Sequence, residues 1–399
     1  MAGQTGRMRA VFAVLAGAAL LLTGCASVGS GAPNWKPKPS FSGEGYEPPA
    51  NAQPVQPTTP NGPSPAPTSP GSKKPGDGAV VATHLTAPTG IAILPDNTAL
   101  VGERTTGRIV RVQPEPGQPV QTVRTIHGLS TRGGGGLLDL AISPNYSQDN
   151  LIFAYITTPK DNRVVTFTLT GPITPVLTGI PRGDRGNTGR IAFAADGSML
   201  VGTGNAGRPA LSRNPASLAG KVLRITDIGR PAQGNPVKGS RVYSSGFTHT
   251  DGLCPTGDST LAFQTESVPS ASGDPIYRLL PGRTFAISGA DEGPVAMLPS
   301  SARSPGGCAV LGDNLFVTSL DGKELLAAPI STTTRGGVHL GKFSATLHNR
   351  YGRLRTVVAA SDGALWLSTS NRDGKGNPVP TDERILRIIP NGGGGNSPL

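Results

Sequence analysis

The sequence predicts an all-β protein, a six-bladed β-propeller, and three observations lead to this prediction. Gly (56 residues) and Pro (39 residues) are each roughly twice as frequent as usual in the 399-residue chain. Both disfavour helices, because glycine costs backbone entropy and proline lacks an amide hydrogen. Short alternating apolar segments follow polar turns. This pattern recurs about every 50 residues, which suits a blade of several strands.

The repeat occurs six times within a predicted propeller at residues 79–393. In the first copy, Asp96 and Asn97 precede the apolar residues 99–101. The turns of the other five copies lie at residues 143–145, 195–197, 255–258, 312–314 and 361–363. Turns of this composition connect antiparallel strands in hairpins. Closing six blades into a ring would protect the sheet edges, and a pair of all-β sandwiches is the alternative.

The first 24 residues are typical of a bacterial lipoprotein signal peptide. Arg7 and Arg9 precede an apolar stretch at residues 11–22, and the lipobox-like motif LTGC ends at Cys25. The apolar stretch is too short for a spanning helix. We expect cleavage before Cys25 and acylation of its thiol, with a cleaved secretory signal as the alternative. The acyl chains would hold the protein on the outer face of the cell membrane.

Residues 25–78 are predicted to be a disordered linker. Thirteen prolines lie between Pro33 and Pro75, among Ser, Thr, Gly, Gln and Asn. Such a segment buries too little apolar surface to offset its ordering entropy. A short disordered tail is predicted at residues 394–399.

The net charge of +11 reflects few acidic residues (25) rather than long basic runs. It favours anionic partners in general and does not indicate nucleic-acid binding. Arg182, Arg185 and Arg190 form a basic patch in the sequence, which we interpret as a solvated loop.

No pair of the five histidines has the spacing of metal ligands, so no metal site is predicted. Cys254 and Cys308 form either a disulfide or two buried thiols.

Six segments occur in an order that is typical of one family. They read APTGIA at 87–92 with VGER at 101–104, GLLDLA at 136–141, GRIAF at 189–193, SLAGKVLRI at 217–225 and YGRLR at 351–355. The chain thereby resembles the glucose/sorbosone dehydrogenase family, which are soluble six-bladed propellers that use pyrroloquinoline quinone (PQQ) and Ca²⁺. The resemblance covers most of residues 80–390, and the predicted anchor suggests a lipoprotein branch of the cell envelope.

The resemblance also implies where the enzymes keep their catalytic groups, and this chain departs from that pattern. The histidine that accepts the substrate proton lies four residues before Arg190, where this chain has Gly186. The neighbouring Asn187 is no substitute, because an amide is not a general base at neutral pH. At position 134, where the family has an acidic or amide residue, this chain has Gly134. The sequence therefore predicts no catalytic residue.

The positions that bind the cofactors in the family also differ in this chain. The family's cofactor arginine is Thr248, which precedes His249, and an expected basic residue is Asp321. The segment whose carbonyls help to hold Ca²⁺ in the family retains only Glu266 and Pro269. PQQ and Ca²⁺ are therefore implied by the resemblance alone.

Arg353 and Arg355 remain as candidate cofactor- or ligand-binding residues. At positions i and i+2 of a strand, both side chains point to one face, which in this family faces the central cavity. Two neighbouring guanidinium groups suit an anion that carries several carboxylates. The alternative is that they pair with the protein's own acids, such as Asp321.

Three hypotheses of function follow from these residues, and whether the protein is an enzyme stays open. The favoured one is a degenerate propeller that binds a small molecule or a partner of the cell envelope. The other is a PQQ- and Ca²⁺-dependent dehydrogenase of aldose sugars or aldehydes. A lactonase-type propeller is a weaker third, because its acidic metal ligands cannot be assigned. The hypothesis of a degenerate propeller requires that no other histidine, such as His249, lies beside Arg353 and Arg355 at the mouth of the cavity.

Overall fold

A computed structural model describes residues 77–258, 261–268, 273–287, 289–334 and 336–390. The predicted signal peptide, Cys25, nearly all of the linker, Pro269 and the predicted tail lie outside these ranges. Within them, no helix combines the length and the hydropathy that crossing a bilayer requires.

The described residues form 25 strands, two single-turn α-helices and two 3₁₀ helices, at Arg132–Gly134 and Ser300–Ala302. In chain order, the strands are β1 (Val80–Ala82), β2 (Pro88–Ile93), β3 (Ala99–Glu103), β4 (Arg108–Val112), β5 (Gln121–Thr125), β6 (Leu137–Ile142), β7 (Ile152–Thr157), β8 (Asn162–Phe167), β9 (Thr174–Ile180), β10 (Gly189–Phe193), β11 (Met199–Thr203), β12 (Lys221–Ile225), β13 (Val242–Ser245), β14 (Gly252–Pro255), β15 (Ala262–Thr265), β16 (Pro275–Arg278), β17 (Ala296–Met297), β18 (Pro305–Leu311), β19 (Asn314–Ser319), β20 (Glu324–Thr332), β21 (Val338–Leu340), β22 (Ser344–Thr346), β23 (Leu354–Ala359), β24 (Leu365–Thr369) and β25 (Ile385–Ile388). The α-helices are α1 (Tyr146–Asp149) and α2 (Ala210–Arg213).

The strands form six antiparallel sheets, which are the blades of the propeller. Blades 1 to 4 are β2–β5, β6–β9, β10–β13 and β14–β17, and blade 5 contains β18–β22. Blade 6 joins β23, β24 and β25 to β1, so the N-terminal strand closes the ring by pairing with β25. The innermost strands β2, β6, β10, β14, β18 and β23 contact one another in a closed circle. The predicted six-bladed propeller is therefore confirmed.

The six polar turns identified in the sequence all connect the innermost strand of a blade to its second strand. In three of them, an aspartate Oδ1 accepts the backbone N–H two residues later: Asp96 from Thr98 at 3.0 Å, Asp196 from Ser198 at 2.9 Å and Asp362 from Ala364 at 3.0 Å. This Asx-type hydrogen bond fixes the turn locally. The sequence repeat is thus the first hairpin of each blade.

The hydrophobic core is divided into six clusters, one between each pair of adjacent blades. Trp366 of β24 is fully buried and packs at the interface of blades 6 and 1 with Val81, Ile91 and Val101. Because each face of a blade is covered by the next blade, the strands are apolar on both faces. The innermost strands are left to line a central channel.

Candidate functional site

The loops that carry the family-like motifs meet at one end of the ring, which we call the upper face. It is the end at which the six innermost strands begin and at which the second strand of each blade turns into the third. Residues just before β6, β10, β14 and β23 therefore surround one mouth. Gly134, Gly186, His249 and Arg353, far apart in sequence, all belong to this face.

Arg190, at the start of β10, spans the channel below the mouth. Its Nε donates to the carbonyl of Asp251 at 2.7 Å, and its two Nη groups donate to Thr89 at 3.1 Å and Gly306 at 2.6 Å. These acceptors belong to blades 4, 1 and 5. Asp139 lies 3.5 Å from the same guanidinium, and burial raises the pKa of Asp139 to about 6. The sequence interpretation of Arg190 as part of a solvated loop is thus wrong, because its side chain lies inside the ring.

Arg353, just before β23, is held by the protein's own acids. Its Nε donates to Asp373 at 2.9 Å, and its Nη1 donates to Asp321 at 2.7 Å and to the Leu320 carbonyl at 3.2 Å. Its side chain is 5% exposed. The charge of Arg353 is compensated by two carboxylates, so the residue shapes the mouth rather than offering a charge to a ligand.

Arg355 differs from its neighbour. Its Nε donates to the Ser370 hydroxyl at 3.1 Å, and the nearest carboxylate, that of Asp373, lies 4.0 Å away. Its side chain is 29% exposed. Burial, followed by the positive charges of Arg190 and Arg104, lowers the pKa of Arg355 to about 10. A positive charge that is crowded in this way would be stabilised by an anion.

Arg104, directly after β3, belongs to the same group, and burial lowers its pKa. Its Nη1 donates to the Gly135 carbonyl at 3.1 Å. A cavity of about 480 Å³, between blades 6 and 1, is lined by Arg104, Arg355, Arg372 and Asp373, among others. Arginine-lined cavities suit carboxylate or phosphate groups. The sequence reasoning passed over Arg104 because its motif predicts only a strand end.

Gly186 offers no group that could take a proton, as the sequence indicates. It has a φ of +68°, and a Cβ built on it would lie 2.9 Å from the Gly207 nitrogen. The buried Asn187 is engaged elsewhere, because its amide accepts from the Gly183 nitrogen at 2.9 Å and donates to the Arg132 carbonyl at 3.2 Å. Asn187 therefore fastens loops together.

The remaining cofactor positions do not reproduce the family's donor set. Thr248 takes the place of an arginine, and Asp321 is paired with Arg353. Glu266 is buried beside Thr248, whose N–H it accepts at 2.7 Å, and burial raises the pKa of Glu266 to about 7. Among the described residues, no three His, Cys, Asp or Glu side chains converge as metal ligands. Thr248 and Asp321 therefore differ from the cofactor-binding pattern that the family resemblance implies.

His249 precedes β14 by three residues and is partly exposed at the upper face. Its Nδ1 lies 3.2 Å from the Ser267 carbonyl. Within the described residues, no hydrogen bond or ion pair joins it to Arg353 or Arg355. A different histidine, His84, lines the cavity that also contains Arg355.

Cys254 and Cys308 form a disulfide in the structure. They belong to β14 and β18, their Cα atoms are 5.9 Å apart, and both are buried along the channel. This separation is within the usual range for a disulfide. The bond joins the innermost strands of blades 4 and 5.

Solved structures with the same architecture include an aldose sugar dehydrogenase. The PQQ-bound form of that enzyme from Streptomyces coelicolor is 36% identical and superimposes with a TM-score of 0.72, covering 77% of this chain and 95% of the other. The apo-form of the soluble aldose sugar dehydrogenase from Escherichia coli has a TM-score of 0.67 at 20% identity, covering 79% and 99%. This second likeness shows the fold alone.

Curated relatives give a consistent result. Quinoprotein glucose dehydrogenase B of Acinetobacter calcoaceticus is 27% identical over 250 residues, which is 52% of each protein, so the chain spans about half the length of this relative. Aldose sugar dehydrogenase YliI of Escherichia coli is 23% identical over 344 residues, covering 74% of this chain and 90% of the relative. Residues 85–289 match the family profile described as Glucose / Sorbosone dehydrogenase. The chain therefore belongs to the glucose/sorbosone dehydrogenase family.

Proposed function

We propose that this protein is a membrane-anchored lipoprotein of the cell envelope whose propeller binds a small anionic ligand without redox chemistry. The observation that carries this proposal is the state of Arg355. Its nearest carboxylate lies 4.0 Å away, and the charges of Arg190 and Arg104 crowd it. A ligand carboxylate or phosphate in the cavity between blades 6 and 1 would supply the missing negative charge.

The absence of redox chemistry is inferred from the substitutions at the mouth. A general base contributes typically 10²–10⁴-fold to a proton-transfer step, and Gly186 stands where the family has that base. Asn187 is held by other loops, and Asp321 is paired with Arg353. Since a fold does not fix a function, the rigid mouth can bind a ligand after its chemistry is lost.

Calorimetric titration with citrate, as a tricarboxylate probe, tests the binding proposal. We expect Arg355→Gln to weaken citrate binding at least tenfold, because the substitution removes a charge-assisted pair. Arg230→Gln is the matched control. It removes the same charge from the exposed loop between β12 and β13 at the opposite end of the ring. Equal affinities in both variants, or no binding in the unsubstituted protein, would reject the proposal.

The membrane anchor is a separate part of the proposal and rests on the motif that ends at Cys25. Several acyl chains make anchoring effectively permanent. A Cys25→Ser variant expressed in a bacterial host should leave the membrane fraction, and the unsubstituted chain should incorporate labelled palmitate. If Cys25→Ser stays in the membrane fraction and neither protein incorporates labelled palmitate, the proposed anchor is contradicted.

The second candidate function is a PQQ- and Ca²⁺-dependent dehydrogenase of aldoses or aldehydes. The identity of 36% to a PQQ-bound enzyme and the position of His249 at the upper face favour it. Incubation with PQQ, Ca²⁺ and aldoses, followed by dye reduction, separates the two functions. Turnover that is lost in both His249→Ala and Arg355→Gln, but kept in Arg230→Gln, would establish the dehydrogenase.

A further inference from the structure

A second group of positive charges surrounds the mouth on the side of blades 2 and 3. It consists of five residues, which we call the rim cluster: Arg132, Lys160, Arg182, Arg185 and Arg208. They lie on four loops of the upper face, before β6, between β7 and β8, before β10 and after β11. The sequence brings only Arg182 and Arg185 together, whereas the fold adds the other three.

The loops of the rim cluster are tied to one another by hydrogen bonds, which hold their backbones close together. The Asn187 amide donates to the carbonyls of Arg132 at 3.2 Å and Gly183 at 2.6 Å. The Arg208 guanidinium donates to the Arg182 carbonyl at 3.4 Å. The Arg182 guanidinium in turn donates to the Pro159 carbonyl at 2.9 Å, next to Lys160 in the chain.

Few acids oppose these five charges. Asp184 lies 3.5 Å from Arg132, but the two side chains are 85% and 78% exposed, so their pairing is weak. Asp161, on the Lys160 loop, is engaged by Arg163 at 2.6 Å. Within the described residues, no carboxylate lies within ion-pair distance of the other four members of the rim cluster. The five cations therefore outnumber the carboxylates on these loops and favour an anion at this surface.

The rim cluster lies beside two positions at which this chain departs from the family pattern. Gly134 and Gly186 occupy these positions and belong to the same loops as Arg132 and Arg185. A Cβ at Gly134 would meet no atom within 4 Å, so the backbone there is open. Arg104, which lines the inner cavity, donates to the Gly135 carbonyl of this loop at 3.1 Å. Arg104 thus connects this loop to the cavity that contains Arg355.

From this placement we infer that the rim cluster binds a polyanionic chain, a polymer with repeating phosphate or carboxylate groups. A single small anion cannot pair with five cations spread over four loops, whereas successive groups of a polymer can. Guanidinium groups form bidentate contacts with both kinds of oxyanion. One end of the chain would enter the cavity at Arg355, and this inner contact rests on the proposed function.

Titration of the full-length protein with fluorescein-labelled inorganic polyphosphate, followed by anisotropy, tests the inference. We expect Arg185→Gln/Arg208→Gln to weaken binding at least tenfold. The slope of log K against log salt should become shallower by roughly two, because two counterion-releasing contacts are lost. Arg230→Gln/Lys238→Gln lowers the net charge equally on the opposite face and should leave both quantities unchanged. Competition by polygalacturonate distinguishes a carboxylate polymer from a phosphate polymer.

Three outcomes would overturn the inference: no binding of either polymer, an equal loss in both double variants, or displacement by soluble dihexanoylphosphatidylglycerol at lower concentration than by either polymer. The last would identify a lipid surface as the partner. Arg355→Gln separates this inference from the proposed function. If Arg355→Gln loses citrate binding but keeps polyphosphate binding, the polymer binds to the rim alone. If the unsubstituted protein binds citrate but not polyphosphate, only the inference about the rim cluster is rejected.

Discussion

The guanidinium of Arg355 lies 4.0 Å from the carboxylate of Asp373, at the outer limit of an ion pair. The same carboxylate lies 2.9 Å from Arg353, so Asp373 compensates the charge of Arg353 more strongly than that of Arg355. Hydrogen bonding to a closer charged partner is the stronger interaction. This unequal sharing explains why two arginines that are nearly adjacent in the chain have different roles.

Replacing Asp373 with Asn should therefore separate ligand affinity from stability. Removal of the negative charge should strengthen citrate binding roughly fivefold, since one nearby repulsive charge is lost. It should also lower the free energy of unfolding by about 1–3 kcal/mol, because Arg353 loses a charged hydrogen bond. Calorimetry and urea denaturation measure the two effects. Weaker citrate binding in a stable Asp373→Asn protein would show that Asp373 itself contacts the ligand.

The disulfide between Cys254 and Cys308 should contribute measurably to stability. The bond closes a loop with a sequence separation of 54 residues, and constraining a loop of this size in the unfolded chain stabilises by about 2–4 kcal/mol. Cys254→Ser/Cys308→Ser and the reduced unsubstituted protein should both show this loss in chemical denaturation. Identical midpoints with and without reductant would mean that the cysteines do not bond in solution.

The fold could be predicted from the sequence because its signals are local. Asp96, Asp196 and Asp362 each fix a turn through a hydrogen bond two residues away, and a polar turn of this kind follows the innermost strand of every blade. The ring closure could not be predicted in the same way. It depends on the pairing of the short β1 with β25, in which Val80 lies opposite Leu386, more than 300 residues away.

The site was only partly predictable because its partners come from distant loops. The alternation of a strand suggested that Arg353 and Arg355 share a face, and both do reach Asp373. Asp373 lies in the long connection between β24 and β25, whose path no sequence pattern defines. The position of Arg190 inside the ring was unpredictable for a similar reason, since the three carbonyls that hold it belong to three other blades.

Restoring the family histidine at position 186 should fail to restore catalysis. A Gly186→His side chain would need a φ near +68° and a Cβ 2.9 Å from the Gly207 nitrogen, and such strain costs about 1–3 kcal/mol. We expect a lower melting temperature and no dye reduction with PQQ, Ca²⁺ and aldoses. Gly186→Ala should lose similar stability, which isolates the backbone strain. Aldose oxidation by Gly186→His alone would show that the mouth still holds the cofactor productively.

The pH dependence of stability should reveal the buried carboxyl of Glu266. Burial raises its pKa to about 7 in the folded protein, above the value of about 4.3 expected for an unfolded chain. The folded state therefore binds the proton more tightly. This contribution to stability is fully present below pH 4 and is lost as the pH rises through about 7.

Glu266→Gln removes this titration while keeping an oxygen for the N–H of Thr248, which Glu266 accepts at 2.7 Å. The difference in unfolding free energy between the unsubstituted protein and Glu266→Gln should therefore shift steadily against the unsubstituted protein from pH 5 to pH 8. Urea denaturation at fixed ionic strength measures this difference. Glu115→Gln, in the loop between β4 and β5, is the control and should show a nearly constant difference, because Glu115 is exposed. A constant difference for Glu266→Gln as well would mean that Glu266 is ionised in the folded protein throughout this range.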